Sequence, residues 1–526
     1  MAQRTGTHKK KGGKSTTRAA TRARAGGAGA PAPASSKGPA AGRGGQSGEA
    51  RGGRTVVLVA AATSFTVSLV LFLVTLAPGV TFEDSGELIS AAKTLGVPHE
   101  PGYPLWTMIA HLFTLLPFGT VAWRVNLMSA LCTALAAALL AWVALLLIDE
   151  LAAHPTGVDV ANGWLFPTLG DPARWLACAG AVAAALAAAT ALTTWQQSII
   201  TEVYGLDALL VSILLLLVVL WSRAPFPRGR RRLFYAVCVT LGLGLTTHDT
   251  FVVLLPVVAI YGLLIERRLR PSWRQLAAGA GLFFLGLLPY LYLPLAAARH
   301  PAMDWGTPDT WTTFWRVVRR QQYFQSGHSG LGDTARQLWW SAHLLWQQWW
   351  ILVLVAALAG LVVLFRDARR WFWFAVLYLV AALPLTTIVT DFKVATSNAA
   401  LNVEDKALVE VFYIPAWILI GLLAGIGLWW AAAWTARRVK GTAAARAATA
   451  ALVAAVVLVV LVPALLRVDD VSMHRYRFAD AYIHNVFTAT APQSLVIGDR
   501  DQFTFPLMYA QMVEGRRPDV VALDQE

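Results

Sequence analysis

Long apolar stretches recur along almost the whole chain and constrain its fold more than any other feature. A helix needs roughly 20 apolar residues to cross the hydrocarbon core of a bilayer. Hydrophobic residue types make up 56% of the 526 residues and charged types only 14%, which argues against a water-soluble enzyme. The sequence therefore predicts an all-α, multi-pass protein of the cell membrane with about 11 transmembrane helices. The eleven stretches lie at 55–76, 125–148, 174–195, 204–222, 233–247, 250–265, 275–297, 347–365, 371–389, 410–434 and 447–467.

A twelfth apolar stretch, at 104–118, is bounded by prolines and is shorter than the others. Its 15 residues fall below the roughly 20 that a perpendicular span needs. We therefore expect it to lie along the outer membrane surface.

Positive charge in four short loops indicates the orientation. The loops 223–232, 266–274, 366–370 and 437–446 carry 16 Lys and Arg residues together. Cytoplasmic loops are the ones enriched in these residues. All four lie inside if the N-terminus is cytoplasmic and 104–118 does not span, whereas counting it as a span would put all four outside. The pattern predicts a cytoplasmic N-terminus and an extracytoplasmic C-terminus, with the outer loops at 77–124, 196–203, 298–346 and 390–409.

The chain divides into three regions by composition. Residues 1–54 carry +11 of the net charge of +14 and are rich in Gly, Ala, Ser and Pro, which predicts a disordered cytoplasmic tail. A basic tail beside a membrane favours contact with anionic lipid over nucleic acid, so no nucleic-acid partner is expected. Residues 55–467 form the predicted transmembrane domain, and residues 468–526 the extracytoplasmic segment.

The end of the chain has the pattern of a β-α-β unit. Residues 494–499 and 519–524 are strand-like, and 503–514 has helical spacing between them. A parallel pair of strands with no further covering element is an incomplete α/β domain. We expect a partial soluble segment that the membrane domain does not need in order to fold.

The first outer loop is unusually rich in titratable side chains. Glu83, Asp84, Glu87, His99 and Glu100 occur within 18 residues. On a helix the carboxylates of Asp84 and Glu87 share a face, as they would if one removed a proton and the other held a sugar hydroxyl. The same spacing also fits the wet face of an interfacial helix.

A proline-rich turn follows these carboxylates. The run from Pro98 to Pro104 is rigid and bent, which would fix His99 and Tyr103 beside the two acids. The sequence indicates no particular cofactor with certainty, and it leaves open whether a divalent cation, Mg²⁺ or Mn²⁺, is held by Asp84 and Glu87.

Three further outer-edge positions carry ionisable residues near the membrane, where such residues are costly and usually functional. Glu202 stands in the segment TEVYGLD, and His248 and Asp249 stand between two apolar runs. A hydrogen-bonded structural histidine and an anion-binding one both fit His248. Arg319 and Arg320, with a third arginine nearby, fit either a specific phosphate site or general contact with lipid headgroups.

Six sequence blocks follow one another along the chain: DSGELISAAKTLGVPHEPGYPLW, RVNLMSAL, TEVYGLDALL, GLGLTTHDT, RRQQY and GDRDQFTFPLMYAQMVEGRRPDV. In this order they resemble the bacterial membrane family related to the animal plexin-type protein O-mannosyltransferases, and the chain looks like a GT-C glycosyltransferase. The likeness runs from about residue 81 to the end and leaves out residues 1–54. Glu100 departs from the HPPGYP that is usual in the family.

The resemblance implies an inverting transferase that takes a sugar, most often mannose, from a polyprenyl phosphate on the outer side. The acceptor would be a hydroxyl of a protein Ser or Thr, or of a glycan. The first-loop acid of such enzymes matches Asp84, which this likeness makes the catalytic base. The residues expected to bind donor or acceptor around it are Glu87, His99, Tyr103, Glu202, His248, Asp249, Arg319 and Arg320.

A transporter or flippase of a lipid-linked or anionic solute is the alternative from another functional class. Such proteins place polar groups at mid-membrane on broken helices and often have two similar halves. Here the ionisable residues gather at one predicted face, which favours the transferase.

Overall fold

The computed structural model describes residues 43–153, 171–324, 330–390, 409–498 and 500–524, and this part of the chain is almost entirely helical. The helices in the first half are α1 (Arg43–Thr75), α2 (Ser85–Thr94), α3 (Pro104–Thr114), α4 (Val121–Ala152), α5 (Asp171–Ala189), α6 (Leu192–Ser198), α7 (Tyr204–Arg223), α8 (Pro227–Leu245), α9 (Phe251–Ile260) and α10 (Trp273–Gly286). They are followed by α11 (Tyr292–Ala297), α12 (Trp311–Val318), α13 (Leu331–Gln348), α14 (Ile351–Asp367), α15 (Arg369–Val380), α16 (Thr386–Thr390), α17 (Ile414–Ala436), α18 (Thr442–Leu466), α19 (Val468–Val471), α20 (Phe478–Ala489) and α21 (Asp501–Met512).

Within the described ranges, seven helical segments are long and apolar enough to cross a membrane: Gly52–Thr75, Val121–Ala152, Tyr204–Arg223, Trp273–Ala297, Arg369–Thr390, Val411–Ala436 and Thr442–Leu466. Two bent pairs raise the number to nine. Ala173–Ala189 with Leu192–Ser198 is bent by 71°, and Thr334–Gln348 with Ile351–Asp367 by 111°. The chain is therefore a multi-pass, all-α membrane protein, as the apolar pattern predicts.

The two other predicted spans are helical but are not among these candidate crossings. The stretch 233–247 lies in α8, whose first turns are arginine-rich. The stretch 250–265 forms the short apolar helix Phe251–Ile265, which contains Pro256 and ends in a π-helical turn. All eleven predicted stretches thus lie on helices, although not every one is a straight crossing.

The first helix begins earlier than the composition predicts. Helix α1 starts at Arg43, so residues 43–54 are helical where a disordered tail was expected. Twelve polar and small residues can extend a helix that the following apolar run already stabilises, because adding a turn costs less than starting one. The remainder of the predicted tail, 1–42, lies outside the described residues.

The bundle centre is built on close helix contacts at small residues. Helices α5 and α17 approach so closely that a Cβ on Gly425 would lie 2.3 Å from the Cβ of Ala184 and 2.4 Å from the carbonyl oxygen of Gly180. Small residues are typical of such contacts between membrane helices, because they let two backbones approach. This rigid centre carries the loops at the end of the bundle where α7 begins.

Helix α3 corresponds to the short stretch predicted to lie on the membrane surface. Its 11 residues make a helix of about 16 Å, which is too short for a crossing of the hydrocarbon core. Trp106 is buried, and its indole N–H donates to the carbonyl oxygen of Glu202 at 3.2 Å. Leu112 and Leu115 are each more than 60% exposed, as expected of an apolar face against lipid. The placement along the membrane surface stays a prediction.

The C-terminal segment forms the β-α-β unit that the sequence predicts. Strands β1 (Leu495–Gly498) and β2 (Val521–Asp524) pair in parallel, with α21 between them in the chain. The sheet has only these two strands among the described residues, and apolar side chains on it remain about half exposed.

Helix α21 packs against α2, the helix that follows Asp84. Phe505 on α21 is buried there. The segment thus contacts the helix that follows Asp84, and its dispensability for the folding of the membrane domain stays a prediction.

Candidate active site

Two loops from distant parts of the chain are held together by a short backbone bridge. The N–H of Val97 donates to the carbonyl oxygen of Met303, and the N–H of Trp305 donates to that of Val97, both at 2.9 Å. The Tyr292 hydroxyl also donates to the carbonyl oxygen of Gly96 at 2.8 Å. This loop bridge places the Trp305 ring 6.5 Å from the ring of His99.

The predicted first-loop residues form one hydrogen-bonded cluster. His99 donates its backbone N–H to Glu87, and its Nδ1 lies 2.6 Å from Glu87 Oε2. Its other ring nitrogen, Nε2, lies 2.9 Å from the Tyr103 hydroxyl and 3.8 Å from Asp84 Oδ2. Asp84 stands immediately before α2 with 37% of its side chain exposed, whereas the Glu87 side chain is fully buried. The interpretation of these acids as the wet face of an interfacial helix is therefore wrong for Glu87.

The charge of His99 is set by its acidic neighbours. Burial by itself lowers the pKa of His99, but the carboxylates of Glu87 and Asp84 outweigh burial and raise the pKa to about 9. Glu87 accepts two N–H groups of the same residue, which suits an ionised carboxylate. Burial raises the pKa of the Glu87 carboxyl, whereas the neighbouring His99 lowers it. The cluster is thus a buried, hydrogen-bonded His99–Glu87 pair with Asp84 at its edge.

Glu202 lies on the same side of the bundle, just before α7. It is buried, and burial raises its pKa well above the usual range, with the nearby Asp84 carboxylate adding to the effect. Its backbone carbonyl accepts hydrogen bonds from Trp106 and from the Ser129 hydroxyl, which fixes the position of the loop. A protonated Glu202 could donate a hydrogen bond to a substrate oxygen.

A second cluster is formed by His248, Asp249 and Arg320. Arg320 pairs with Asp249 through Nη1 and Oδ2, and His248 Nδ1 lies 3.2 Å from Asp249 Oδ1. Burial lowers the pKa of His248 to about 4, so the ring is neutral at neutral pH. Burial raises the pKa of the Asp249 carboxyl, but the Arg320 guanidinium outweighs it and holds the pKa below its usual range.

Tyr103 joins the two clusters. Its ring is stacked with that of His248 at 6.2 Å between centroids and an interplanar angle of 6°, while its hydroxyl contacts His99. The carboxylates near α2 and the Arg320–Asp249 pair are thus connected through aromatic side chains.

The sequence reasoning missed a buried relay behind His248. The backbone N–H of Thr250 donates to His248 Nδ1 at 3.3 Å, and the Thr250 hydroxyl lies 3.1 Å from the same nitrogen. The Thr250 hydroxyl lies 3.3 Å from Asp207, an acid that is fully buried within α7. The cost of an acid inside a membrane helix could have singled out Asp207. Trp305 was missed as well, and its position in an irregular loop gave no comparable signal.

The predicted arginine group separates in the structure. Arg319 is exposed and stands over the Trp315 ring, 5.3 Å from the centroid. Only Arg320 reaches the cluster, because the backbone turns into the left-handed region there, with φ of 53°. Glu100 accepts a hydrogen bond from the backbone N–H of Gln322 at 3.0 Å, which ties the segment after Arg320 to the first loop.

Among the described residues, one group of side chains could offer ligands to a metal ion, and it consists of Asp84, Glu87 and His99. One atom from each lies within 4.8 Å of the others. Two carboxylates and an imidazole suit a divalent cation such as Mg²⁺ or Mn²⁺ only in part, because these ions favour oxygen ligands. Such an ion would also have to displace the hydrogen bonds between His99 and Glu87, so the arrangement fits a metal only after rearrangement.

Comparisons with known proteins agree with the motifs. Residues 84–270 match the family model described as the Protein O-mannosyl-transferase TMEM260 N-terminal domain. The chain is 29% identical to the Protein O-mannosyl-transferase TMEM260 of Mus musculus, over 93% of this chain and 64% of that protein. It is 23% identical to the Protein O-mannosyl-transferase tmem260 of Dictyostelium discoideum, over 88% of this chain and 56% of that protein. The chain therefore spans less than two thirds of the length of these relatives.

The fold also matches a solved structure. ArnT from Cupriavidus metallidurans bound to undecaprenyl phosphate superposes with a TM-score of 0.50 at 15% sequence identity, over 88% of this chain and 89% of that one. The resemblance inferred from the sequence blocks is confirmed, and the fold is of the GT-C type. The relatives are named as transferases, so the transporter alternative is not favoured.

Proposed function

We propose that this chain is an inverting GT-C glycosyltransferase. It moves a sugar from a polyprenyl-phosphate donor to a hydroxyl of a protein Ser or Thr or of a glycan, and the names of its relatives indicate mannose as that sugar. The observation that carries the proposal is the position of Asp84, a partly exposed carboxylate beside the buried His99–Glu87 pair. The ArnT structure with the matching fold contains undecaprenyl phosphate, which supports a lipid phosphate as the donor.

In the proposed reaction Asp84 is the general base. It accepts the proton of the acceptor hydroxyl while that oxygen attacks the anomeric carbon and the bond from this carbon to the phosphate oxygen breaks. The electron pair of the broken bond leaves with the lipid phosphate, and the configuration at the anomeric carbon inverts. His99 lies 3.8 Å from Asp84 and holds its carboxylate beside the reacting hydroxyl.

The second cluster would receive the departing phosphate. Arg320 supplies a guanidinium, and the neutral His248 ring offers one N–H donor. Donors already oriented toward developing charge lower the barrier without reorganising during the reaction. Asp249 holds Arg320 in place, and Glu87, Tyr103 and Glu202 shape the surface between base and phosphate.

We place this reaction on the outer face of the membrane, with the N-terminus in the cytoplasm. The proposed site lies at the end of the bundle where α7 begins, and the arginine-rich loops lie at the other end of the helices. Enrichment of arginine in cytoplasmic loops supports this orientation.

A transfer assay with isolated membranes tests the function. Membranes containing the protein are supplied with polyprenyl-phosphate mannose labelled in the sugar, and the labelled product is identified by mass spectrometry. Asp84→Asn keeps the shape of the side chain and removes its basicity, so transfer should fall on the order of 10²-fold or more while the donor still binds.

The matched control is Glu83→Gln, which removes the charge of the exposed neighbouring acid. Transfer near the wild-type rate in this variant would show that the loss follows Asp84 and not the charge of the loop. Normal transfer by Asp84→Asn would overturn the assignment of the base and make Glu87 the next candidate. Absence of any labelled product with the wild-type protein would overturn the donor class.

A further inference from the structure

A cavity at the opposite end of the helices from the active site is lined by four arginines. It has a volume of about 250 Å³, and we call it the basic pocket; its lining includes Arg230, Arg231, Arg268, Arg270 and Trp221. Helix α8 begins at this pocket and ends shortly before His248. Its 19 residues span about 28 Å, so the pocket is separated from the candidate active site by most of a membrane thickness.

The positive charge of the basic pocket is only partly balanced. Arg268 donates two hydrogen bonds to Glu266, at 2.8 and 3.0 Å, and Glu266 also accepts from Arg370 at 2.8 Å. In the part of the chain that the structure describes, no carboxylate forms an ion pair with Arg230, Arg231 or Arg270. The charges of these three guanidinium groups are therefore not neutralised by a described carboxylate, and an anion could bind them.

Arg230 has the clearest need for an acceptor. Its Nη1 donates to the carbonyl oxygen of Arg268 at 3.0 Å, but its Nε is buried and has no hydrogen-bond partner among the described residues. A buried donor of this kind is costly unless a ligand or water satisfies it. The Nε–H of Arg270 donates a hydrogen bond to the carbonyl oxygen of Leu263 at 2.7 Å. This hydrogen bond holds the loop between α9 and α10 over the pocket.

An apolar groove continues from the basic pocket along the helices. It has a volume of about 500 Å³ and shares the side chains of Trp221, Phe234 and Pro271 with the pocket. The groove runs between α8, α9 and α10, where its walls include Leu241 and Phe283. The flank of α10 is exposed and apolar, with Leu276 43% and Leu285 52% exposed, as a surface against lipid tails would be.

We propose that the basic pocket and the apolar groove together bind one anionic phospholipid, with its phosphate on the arginines and an acyl chain along the groove. Guanidinium groups suit phosphate because they donate several hydrogen bonds in one plane. Basic pockets between membrane helices are typical sites for anionic headgroups in the cytoplasmic leaflet. A free phosphate would leave the groove empty, and a zwitterionic lipid would bring no net charge to the arginines. The site is independent of the proposed transfer reaction.

Native mass spectrometry of the full chain released from detergent tests the proposal. The probes are phosphatidylglycerol and phosphatidylcholine with identical acyl chains. The wild-type protein should retain phosphatidylglycerol in preference. Arg230→Gln/Arg231→Gln should weaken this binding about tenfold or more, since it removes the charge-assisted hydrogen bonds that these pocket arginines would donate to the phosphate.

The matched control is Arg228→Gln/Arg232→Gln. It removes two charges from the same helix, α8, at exposed positions outside the lining of the pocket. Binding of phosphatidylglycerol should change by about twofold or less in this control, because general attraction between charges in contact with solvent is weak. Equal weakening in both double variants would overturn the specific pocket and leave only general attraction to a basic surface.

A third variant tests the groove without changing charge. Ala280→Trp places a large side chain in the groove at an exposed position of α10, so the bundle core is not disturbed. Binding of phosphatidylglycerol should fall, whereas unchanged binding would overturn the part of the proposal that concerns the acyl chain.

Displacement of the lipid by inorganic phosphate at similar concentration would overturn the lipid as the ligand. Thermal unfolding of each variant, compared with wild type, verifies that the fold is kept, and transfer activity is not the readout.

Discussion

Among single residues, His99 controls the charge of the candidate active site. Its pKa of about 9 lies above the ordinary value of a histidine because Glu87 and Asp84 stand beside its ring. A group whose pKa is raised by folding stabilises the folded state fully below its unfolded pKa, which is roughly 6.5. This stabilisation is lost as the pH rises through about 9, where the folded protein also releases the proton.

The dependence of stability on pH should therefore change in Glu87→Gln. Loss of the Glu87 charge lowers the pKa of His99 toward its unfolded value, so the decline in stability above about pH 6.5 should become smaller and should level off below about pH 9. Thermal unfolding midpoints of the purified protein, measured between about pH 6 and pH 10, provide the readout. Glu83→Gln, in the same loop, should keep the wild-type profile. An unaltered profile in Glu87→Gln would contradict the assigned ion pair.

Arg320 and Arg319 are neighbours in sequence with different expected roles. Arg320→Ala should raise the KM for the polyprenyl-phosphate donor about tenfold or more, because it removes a guanidinium that pairs in the cluster. Arg319→Ala should have a much smaller effect, because Arg319 stands over Trp315 and is exposed. Initial rates at several donor concentrations measure both. Equal effects of the two changes would indicate general attraction of the phosphate and not a specific contact.

The adjacent residues Arg319 and Arg320 show what could not be predicted from the sequence. The density of acids and prolines in one loop was enough to predict that Asp84, Glu87, His99 and Tyr103 come together, because they lie within 20 residues of each other. Choosing between two adjacent arginines depends on a left-handed backbone turn, which no local pattern in the sequence specifies. The Asp207–Thr250 contact joins residues 43 positions apart and depends on how α7 and α9 pack.

Among the structural elements, the contact of α2 with α21 links the loop that carries Asp84 to the C-terminal segment. A Cβ on Gly86 would lie 2.2 Å from the backbone carbonyl oxygen of Phe505, so the two helices can approach only at a glycine. Gly86→Ala should lower the free energy of unfolding by roughly 1–3 kcal/mol, as overpacking of a close contact does. A shift in the thermal unfolding midpoint would measure this.

The matched control for this contact is Gly281→Ala on α10. A Cβ there meets no atom within 4 Å, so the change should stabilise slightly or leave stability unchanged, because alanine favours helix over glycine. Equal destabilisation by both changes would mean that loss of the α2–α21 contact is not the cause. Gly86→Ala should also reduce transfer, because α2 begins directly after Asp84.

The existence of the helices could be predicted, but their breaks could not. Runs of apolar residues fix which segments enter a membrane, because each needs to satisfy its own backbone hydrogen bonds there. The bends of 71° and 111° occur within or beside such runs. Trp349 at the second bend is buried and donates to the carbonyl oxygen of Ala187 at 2.7 Å, so the bend depends on a contact with another helix.

At the scale of the whole molecule, the orientation in the membrane can be tested directly. In a variant whose three cysteines are replaced, a cysteine at Gly229 should be protected from an impermeant thiol reagent added to intact cells, and one at Gln493 should react. The reason is that the arginine-rich loops should face the cytoplasm. Permeabilised cells, in which both positions should react, provide the control. The reverse labelling pattern would mean that the topology is inverted, with the transfer site on the cytoplasmic side and the lipid site on the outer side.

The loop bridge between Val97 and Trp305 has a consequence for the kinetics of substrate capture. Loops that close only over a bound substrate lose conformational entropy at every encounter, and that loss weakens affinity or slows association. Here residues about 200 positions apart are already held together by backbone hydrogen bonds. The entropy of joining them is lost once, when the chain folds. The mouth of the site is thus preformed, and a lipid-linked sugar diffusing in the plane of the bilayer would meet a surface that is already shaped to receive it.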